Sequence, residues 1–473
     1  MKHRIVVLGA GYAGAYAAGI LARRLSPADT EITVVNAEPD FVQRMRLHQL
    51  ASGREIEAPK LADVFAGTGI RLRLARVTAV DPERQVVAVA DADGGGELGY
   101  DTLLHALGSH VADHGVPGVA EHAFDIAGRP SALRLREHLD SLGRRGEGGR
   151  VLVVGDGLTG IEAAAEIAES RPGLSVSLLA RGELSARLSA GARSHLRQVY
   201  DRLGVTVLEH TSVEAVEATR VLCADGTALA SDATVWTAGF TANPIAAAGG
   251  LEVTGNGRIV VDRTMRSVSH PNVYAAGDSA YAIGDNGRPL PMSCGSAGYT
   301  GRQAVDAIVG RLTGGKVANT KLVYTHNYIT LGQRDGILQL VDDEGQAKPK
   351  YSGGRKPAWI KERINRIALW ASSHPTFGLP KRMHRLAAAP DASAENAVSY
   401  ARDASAENAV SYARDASAEN AVSYARDASA ENAVSYARDA SAENAVPYAP
   451  DASAENAVPY TPDAPAPAEK ALA

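Results

Sequence analysis

Two short glycine patterns carry the chemistry that can be read from this sequence. Gly9-Ala10-Gly11-Tyr12-Ala13-Gly14 and Gly155-Asp156-Gly157-Leu158-Thr159-Gly160 both match G-x-G-x-x-G. The spacing has a physical reason: one glycine makes a tight turn, the next lets backbone approach a pyrophosphate, and the last lets helix and strand pack closely. The first amides of the following helix then face an anion. Asn36, with Glu38 two residues on, stands where a carboxylate usually accepts from a ribose. In the second copy no carboxylate ends the strand, and Arg181 stands there instead, placed to pair with a 2′-phosphate. Asp278, behind Gly277, closes a further strand, where it can accept from a polyol or simply cap a helix.

These residues need strands and helices to hold them, and the sequence supplies both. Ile5 to Gly9 reads as a strand, and Ala, Ile and Leu then recur at helical spacing up to Arg23-Arg24. Glu31 to Val35 reads as the next strand, and Phe41 to Gly53 as a loop entering a helix. Strands are predicted at Ile70 to Ala75, Gln85 to Ala90 and Tyr100 to Leu107, the last running into Gly108, with a hairpin turn at 93–96. The theme repeats from Arg150: strand Val151 to Val154, glycine turn, a helix bearing Glu162, and strand Ser175 to Leu179. Val205 to Leu208 and Asp232 to Trp236 follow as strands, the latter reaching Gly239. Asn272 to Ala276 is a short buried strand, Ser296 to Leu312 a helix, and Tyr324 to Val341 two strands.

At 473 residues the chain is long enough for two or three domains, and 45% hydrophobic with 22% charged residues suits a globular protein. Ile5 to Ala22 carries no charge, yet its glycines and the motif argue against a signal peptide or a membrane span, so the sequence reads as cytoplasmic. The two cysteines, Cys223 and Cys294, offer neither a disulfide framework nor metal-ligand spacing. The net charge of −5 divides into −9 on the tail from Asp391 and +4 on the remainder. No basic run is interleaved with aromatics, which argues against nucleic-acid binding. From Asp391 the unit DASAENAVSYAR recurs every 12 residues. On a helix, 12 steps of about 100° turn the apolar pair by about 120° per repeat, so no stripe forms and a disordered tail is expected.

Through its two glycine motifs and the segment Tyr274 to Asp278, the chain resembles the FAD-dependent pyridine nucleotide oxidoreductases, most closely the type II NADH dehydrogenases of actinobacteria. The resemblance implies an α/β fold with two Rossmann-like domains: an FAD domain (1–110 and 241–320) split by an NAD(P)H domain (111–240). A C-terminal α+β segment (321–386) and the repeat tail (387–473) follow. It further implies FAD on Gly9, Gly11, Gly14, Asn36, Glu38, Gly108, Gly277, Asp278 and Ser293. NADH or NADPH would lie on Gly155, Gly157, Gly160, Arg181 and Gly239, with Glu162 near the nicotinamide. Cys294, at the amino end of the helix near Ser296, is a van der Waals neighbour of the flavin or a thiol of lowered pKa. Electrons would pass to a quinone or a soluble acceptor, a small electron-carrier protein being the alternative. An FAD-binding interaction protein with vestigial redox activity is the reading from another class.

Three departures matter. Arg44 to Leu50 lacks the C-x4-C pair of the disulfide reductases, which excludes their chemistry. Cys223 is an unsuitable partner for Cys294, as sulfide:quinone reduction would need. The quinone-associated segment of type II NADH dehydrogenases has two glutamines, where Ser293 to Gly298 reads Ser-Cys-Gly-Ser-Ala-Gly. Pro357 to Ala371 is a basic amphipathic helix with Ile360, Ile364, Ile367 and Ala371 in one stripe flanked by Trp359 and Trp370. It suits peripheral contact with the inner face of a plasma membrane, or packing on the FAD domain or on the second subunit of a homodimer.

Overall fold

The parallel strands of this chain are apolar runs without alternation, as strands covered on both faces must be. Ile5, Val6, Val7 and Leu8 are all buried, as are Val151 to Val154. The computed structural model describes residues 1–92, 94–144, 148–377 and 383–387. They all fall within one unit spanning 1–415. The repeat tail from residue 388, and Asp93 of the predicted hairpin turn, lie outside the described residues.

Two five-stranded parallel sheets organise the fold. The first runs Val273–Ala275, Thr102–His105, His3–Leu8, Thr30–Asn36, Arg71–Leu74 in space. Register pairs Ile5 with Ile32 on one side and with Thr102 on the other, and Val273 pairs with Leu103. One sheet is thus assembled from both ends of a long stretch of chain. The second sheet, in the order Thr206–Leu208, Ser175–Leu179, Arg150–Val154, Ala233–Trp236, Ala123–Phe124, lies wholly inside that stretch. These are mixed α/β elements with parallel sheets of the Rossmann kind, as the glycine motifs require.

Helices cover the sheets where small residues let them approach. The helix Tyr12–Arg24 follows the first glycine turn and packs on Cys294–Thr313, where a side chain on Gly301 would press on the Ala13 carbonyl. Leu158–Ser170 follows the second turn. Helices Arg129–Arg144 and Ala190–Leu203 complete the cover of the second sheet. A meander of Arg76–Asp81, Val86–Ala90 and Gly96–Gly99 flanks the first sheet, and one of Val213–Glu217, Arg220–Cys223 and Ala228–Ala230 the second. The C-terminal segment is a third antiparallel sheet, His326–Thr330, Gly336–Val341 and Ala347–Gly353, followed by the helix Arg355–Ser373.

Beyond the helix Arg355–Ser373 the chain packs back on the body. His384 bridges to Leu25, and Arg385 pairs with Asp29, returning the chain to the beginning of the first sheet. Pro375 is itself buried and lies where Gly19 leaves room for it.

The C-terminal helix is oriented against the simplest expectation. Pro357, Ala358, Lys361, Asn365 and Ser372 are buried, whereas Trp359, Ile364, Ile367, Trp370 and Phe377 are exposed, Ile367 at 65%. Lys361 and Asn365 face the protein, while Ile364 and Ile367, the middle of the apolar stripe, face out and Ile360 and Ala371 are half-buried. The middle of the stripe is therefore not packed on the body of the protein.

Candidate functional site

Both glycine turns sit at the carboxyl ends of central parallel strands, where ligands bind in open α/β sheets. Gly9 has φ +91° and its N–H donates to the Val35 carbonyl at 2.8 Å. A Cβ on Gly9 would strike the Ala106 carbonyl, and one on Gly14 would strike the carbonyl of Gly9. Gly11 is different: it caps the helix, and a Cβ there meets nothing within 4 Å. The second turn repeats this. Gly155 has φ +103°, Gly160 packs on the Gly155 carbonyl, and Gly157 opens on space. In each turn two glycines are required by the protein itself, and the middle one borders a hollow at a helix N-terminus. That hollow suits a pyrophosphate.

The residues around each turn have definite partners. Asn36 accepts from the Ala10 N–H at 2.9 Å and donates to the Glu38 carbonyl at 2.7 Å, so its amide braces the turn. Asp156 accepts from the Ser185 N–H at 2.6 Å. Arg181 is exposed beyond the strand Ser175–Leu179. Gly239, at φ +138°, carries the carbonyl that accepts from Ala112 and lies against His114.

Between the two turns lies a polar chain that the sequence showed only at one end. Asp278 stands in the 3-10 turn Gly277–Ser279, and its carboxylate accepts from the Ser109 hydroxyl at 2.7 Å. Arg44 donates to the Ser109 carbonyl at 2.6 Å and to its hydroxyl at 2.9 Å, and its guanidinium lies 4.9 Å from the centre of the Phe240 ring. The Gly108 N–H donates to Ser279 at 3.0 Å and the Gly277 N–H to Thr300 at 2.9 Å. Gly108, Gly277 and Asp278 are brought together, and Arg44 and Ser109 join them. The Ser293 hydroxyl accepts from the Ser296 N–H at 3.1 Å and so caps a helix that begins at Cys294, two residues earlier than expected.

The profile of the family described as pyridine nucleotide-disulphide oxidoreductase matches residues 3–301, which span both glycine turns and Asp278. The chain belongs to this family. An NADH dehydrogenase-like protein of Mycobacterium tuberculosis is 31% identical, over 76% of this chain and 93% of that one. A type II NADH:quinone oxidoreductase of Staphylococcus haemolyticus is 25% identical, over 78% and 96%. Among solved structures, NDH2 from Plasmodium falciparum in complex with NADH covers 80% of this chain and 97% of its own with a TM-score of 0.67 at 14% identity, a likeness of fold. The protein is an enzyme, an FAD-dependent NAD(P)H oxidoreductase.

The disulphide half of the family's description has no counterpart in this oxidoreductase. Cys223 and Cys294 are both free, Cys223 at the end of a strand in the second meander and Cys294 at the start of a helix. A lowered pKa for Cys294 is also overturned. Burial and the nearby charge of Asp278 push its thiol up to about 12, and Arg44, Lys361 and a backbone hydrogen bond do not offset them. It is a neutral neighbour in the site.

Glu162, on the helix after the second turn, lies in a buried polar cluster. It is only 7% exposed, and its Oε1 accepts from the Thr330 N–H and hydroxyl, each at 2.6 Å, and from the Lys361 ammonium. Burial would raise its pKa, but Lys361, His48 and the Thr330 bond together hold it below the ordinary value. Oε1 thus ties three separate segments of the chain together. His48 lies 3.5 Å from the Thr330 hydroxyl, and burial keeps it neutral, at about 4. One turn further along the same helix, burial pushes Glu166 up to about 7 against the pull of Arg54. Lys361 and Cys294 interact electrostatically, which joins this cluster to the Asp278 side. Lys361, His48 and Thr330 carried no motif, and the only available signal was a lysine inside an amphipathic helix.

Proposed function

We propose that this oxidoreductase takes electrons from NAD(P)H and passes them to a quinone at a membrane surface; the name of its Staphylococcus haemolyticus relative gives NADH and quinone as that protein's substrates. One observation carries this reading: the C-terminal helix buries Lys361 toward the site and turns Trp359, Ile364, Ile367 and Trp370 outward. Tryptophan and arginine at the edge of an exposed apolar face suit a membrane interface. The cations Lys356, Arg363 and Arg366 on the same helix add attraction to anionic lipid, about 1 kcal/mol each. Among the described residues no helix is long and apolar enough to cross a membrane, so such contact is peripheral.

Segments 1–110 and 241–320 then hold FAD and segment 111–240 holds the nicotinamide nucleotide. A bound flavin supplies the two-electron chemistry. The chain's part is to hold it: Gly11 leaves room for its pyrophosphate, and the Asp278–Ser109–Arg44 chain fixes the groups beside it. Lys361, braced by Glu162, provides a proton donor on the acceptor side.

The absence of both glutamines from Ser293 to Gly298 favours a second reading, with a soluble acceptor. Steady-state rates with menadione, a ubiquinone analogue and ferricyanide, together with sedimentation on anionic vesicles, separate the two. Vesicle binding that falls with salt, and turnover with both quinones, support the membrane reading. A protein that stays in the supernatant and reduces only ferricyanide refutes it, and a dimer by light scattering would assign the same helix face to a second copy.

A further inference from the structure

The second glycine turn carries information about which pyridine nucleotide this enzyme uses. In a Rossmann unit the adenosine ribose lies at the carboxyl end of the strand after the glycine helix, here Ser175–Leu179. A carboxylate there accepts from the 2′-hydroxyl and repels a 2′-phosphate. The residue that follows the strand is Ala180, fully buried, with nothing to offer a ribose. Next comes Arg181, exposed, and then Gly182, whose absent side chain leaves open space with no atom within 4 Å.

The charges around this corner do not cancel. Three carboxylates are near in the fold, and each has a partner. Glu183 pairs with Arg193 at 2.5 Å. Glu209 accepts from the Leu184 N–H and from Arg197, both at 2.5 Å. Asp156 accepts from the Ser185 N–H. Arg181 and Arg187, by contrast, have no hydrogen bond or ion pair among the described residues, and both are exposed. The corner is held rigidly, because the His210 N–H donates to the Gly182 carbonyl at 3.1 Å and the Thr211 N–H to the Ala180 carbonyl at 2.9 Å. Glu183, two residues beyond Arg181, is thus tied to Arg193.

We propose that Arg181 receives the 2′-phosphate of NADPH, and that NADPH rather than NADH is the preferred electron donor. The inference rests on the assignment of segment 111–240 to the nicotinamide nucleotide. A 2′-phosphate brings about −1.5 to −2 charges and three acceptor oxygens, and a guanidinium can meet it with two parallel bonds.

Calorimetry of the FAD-loaded enzyme with 2′,5′-ADP and with 5′-AMP, in parallel with flavin reduction by NADPH and NADH, tests it. The expected result is tighter binding of 2′,5′-ADP and a higher kcat/KM for NADPH. Arg181→Ala should weaken 2′,5′-ADP and raise the KM for NADPH roughly ten- to a hundredfold, with kcat and the NADH constants within about twofold. Arg181→Glu, an exposed change that leaves the fold intact, should reverse the preference. Equal affinity for the two nucleotides, or an Arg181→Ala enzyme with an unaltered KM for NADPH, overturns the proposal while leaving the oxidoreductase intact. Flavin that neither NADH nor NADPH reduces would instead overturn the reading on which it rests, and tight 2′,5′-ADP binding in that case would still place the phosphate at Arg181.

Discussion

Gly11 and Gly14 look alike in the motif, but the structure separates their roles, and the separation can be measured. A side chain on Gly14 would collide with the Gly9 carbonyl, so Gly14→Val should lower stability by several kcal/mol, read as a drop in Tm. A side chain on Gly11 meets no protein atom, so Gly11→Val should keep its Tm as apoprotein and lose its flavin, read from the flavin-to-protein absorbance ratio. Full flavin content in Gly11→Val would remove the pyrophosphate from this turn. A second residue-scale prediction follows from two buried histidines. His48 and His105 are both held at about 4, below the ordinary 6.5, and neither ring nitrogen of His105 has a partner. Unfolding lets them take up protons, so their contribution is present above pH 6.5 and is lost as the pH falls toward 4. Glu166, raised to about 7, works in the opposite direction: its contribution is present below 4.5 and is lost as the pH rises through 7. His3 and His326, also held below the ordinary value by burial, act with His48 and His105 against Glu166, so stability should fall between pH 7 and pH 4.5. Urea unfolding at both pH values measures it, and His105→Leu should lessen the fall. The glycines were legible in the sequence because backbone geometry demands that residue type, and Asp278 because it follows one of them at a strand end. Arg44, Ser109, His48 and Lys361 were not, since their roles come from contacts between segments far apart in the chain.

At the scale of elements, periodicity found the C-terminal helix and its stripe but not the direction the stripe faces. A repeat of 3.6 residues defines two faces, and only the partners available decide which is buried. Here Glu162 on the helix Leu158–Ser170 draws Lys361 inward, and Ile364 and Ile367 go out. Lys361→Ala should therefore destabilise the fold by about 3 to 5 kcal/mol, since Glu162 is left as a buried unpaired charge. Denaturant midpoints would reveal this, and an unchanged midpoint would mean that Glu162 simply takes up a proton. Ile367→Asp, on the exposed side, should leave the midpoint within about 0.5 kcal/mol and abolish sedimentation with anionic vesicles. Helices Arg129–Arg144 and Ala190–Leu203 went unread because their charged residues outweigh a thin apolar stripe. The edge strands Arg76–Asp81, Gly96–Gly99 and Ala347–Gly353 were missed for a related reason: they are half exposed, and glycine or lysine interrupts the apolar row of the last two.

For the whole molecule, the α/β class and the two nucleotide units were legible because a glycine turn between strand and helix is a local pattern, and its recurrence is not a coincidence of composition. The repeat tail offers one valine and one tyrosine for each 12 residues and no motif, so a chain ending at Pro390 should keep its flavin and its NAD(P)H oxidation rate, assayed side by side with the full chain. Loss of either would give the tail a role in the fold. The split first sheet, finally, has a consequence in time. Thr102–His105 leaves the ribosome 168 residues before Val273–Ala275, the strand that must lie beside it. At about 5 to 20 residues per second, an apolar central strand waits roughly ten to thirty seconds for its neighbour, while the second sheet, contiguous in the chain, is complete within that interval. The nascent enzyme is therefore exposed to misassociation during one definite window of its synthesis. Pulse-labelled ribosome complexes stalled between residues 240 and 270 should be the ones that engage a chaperone.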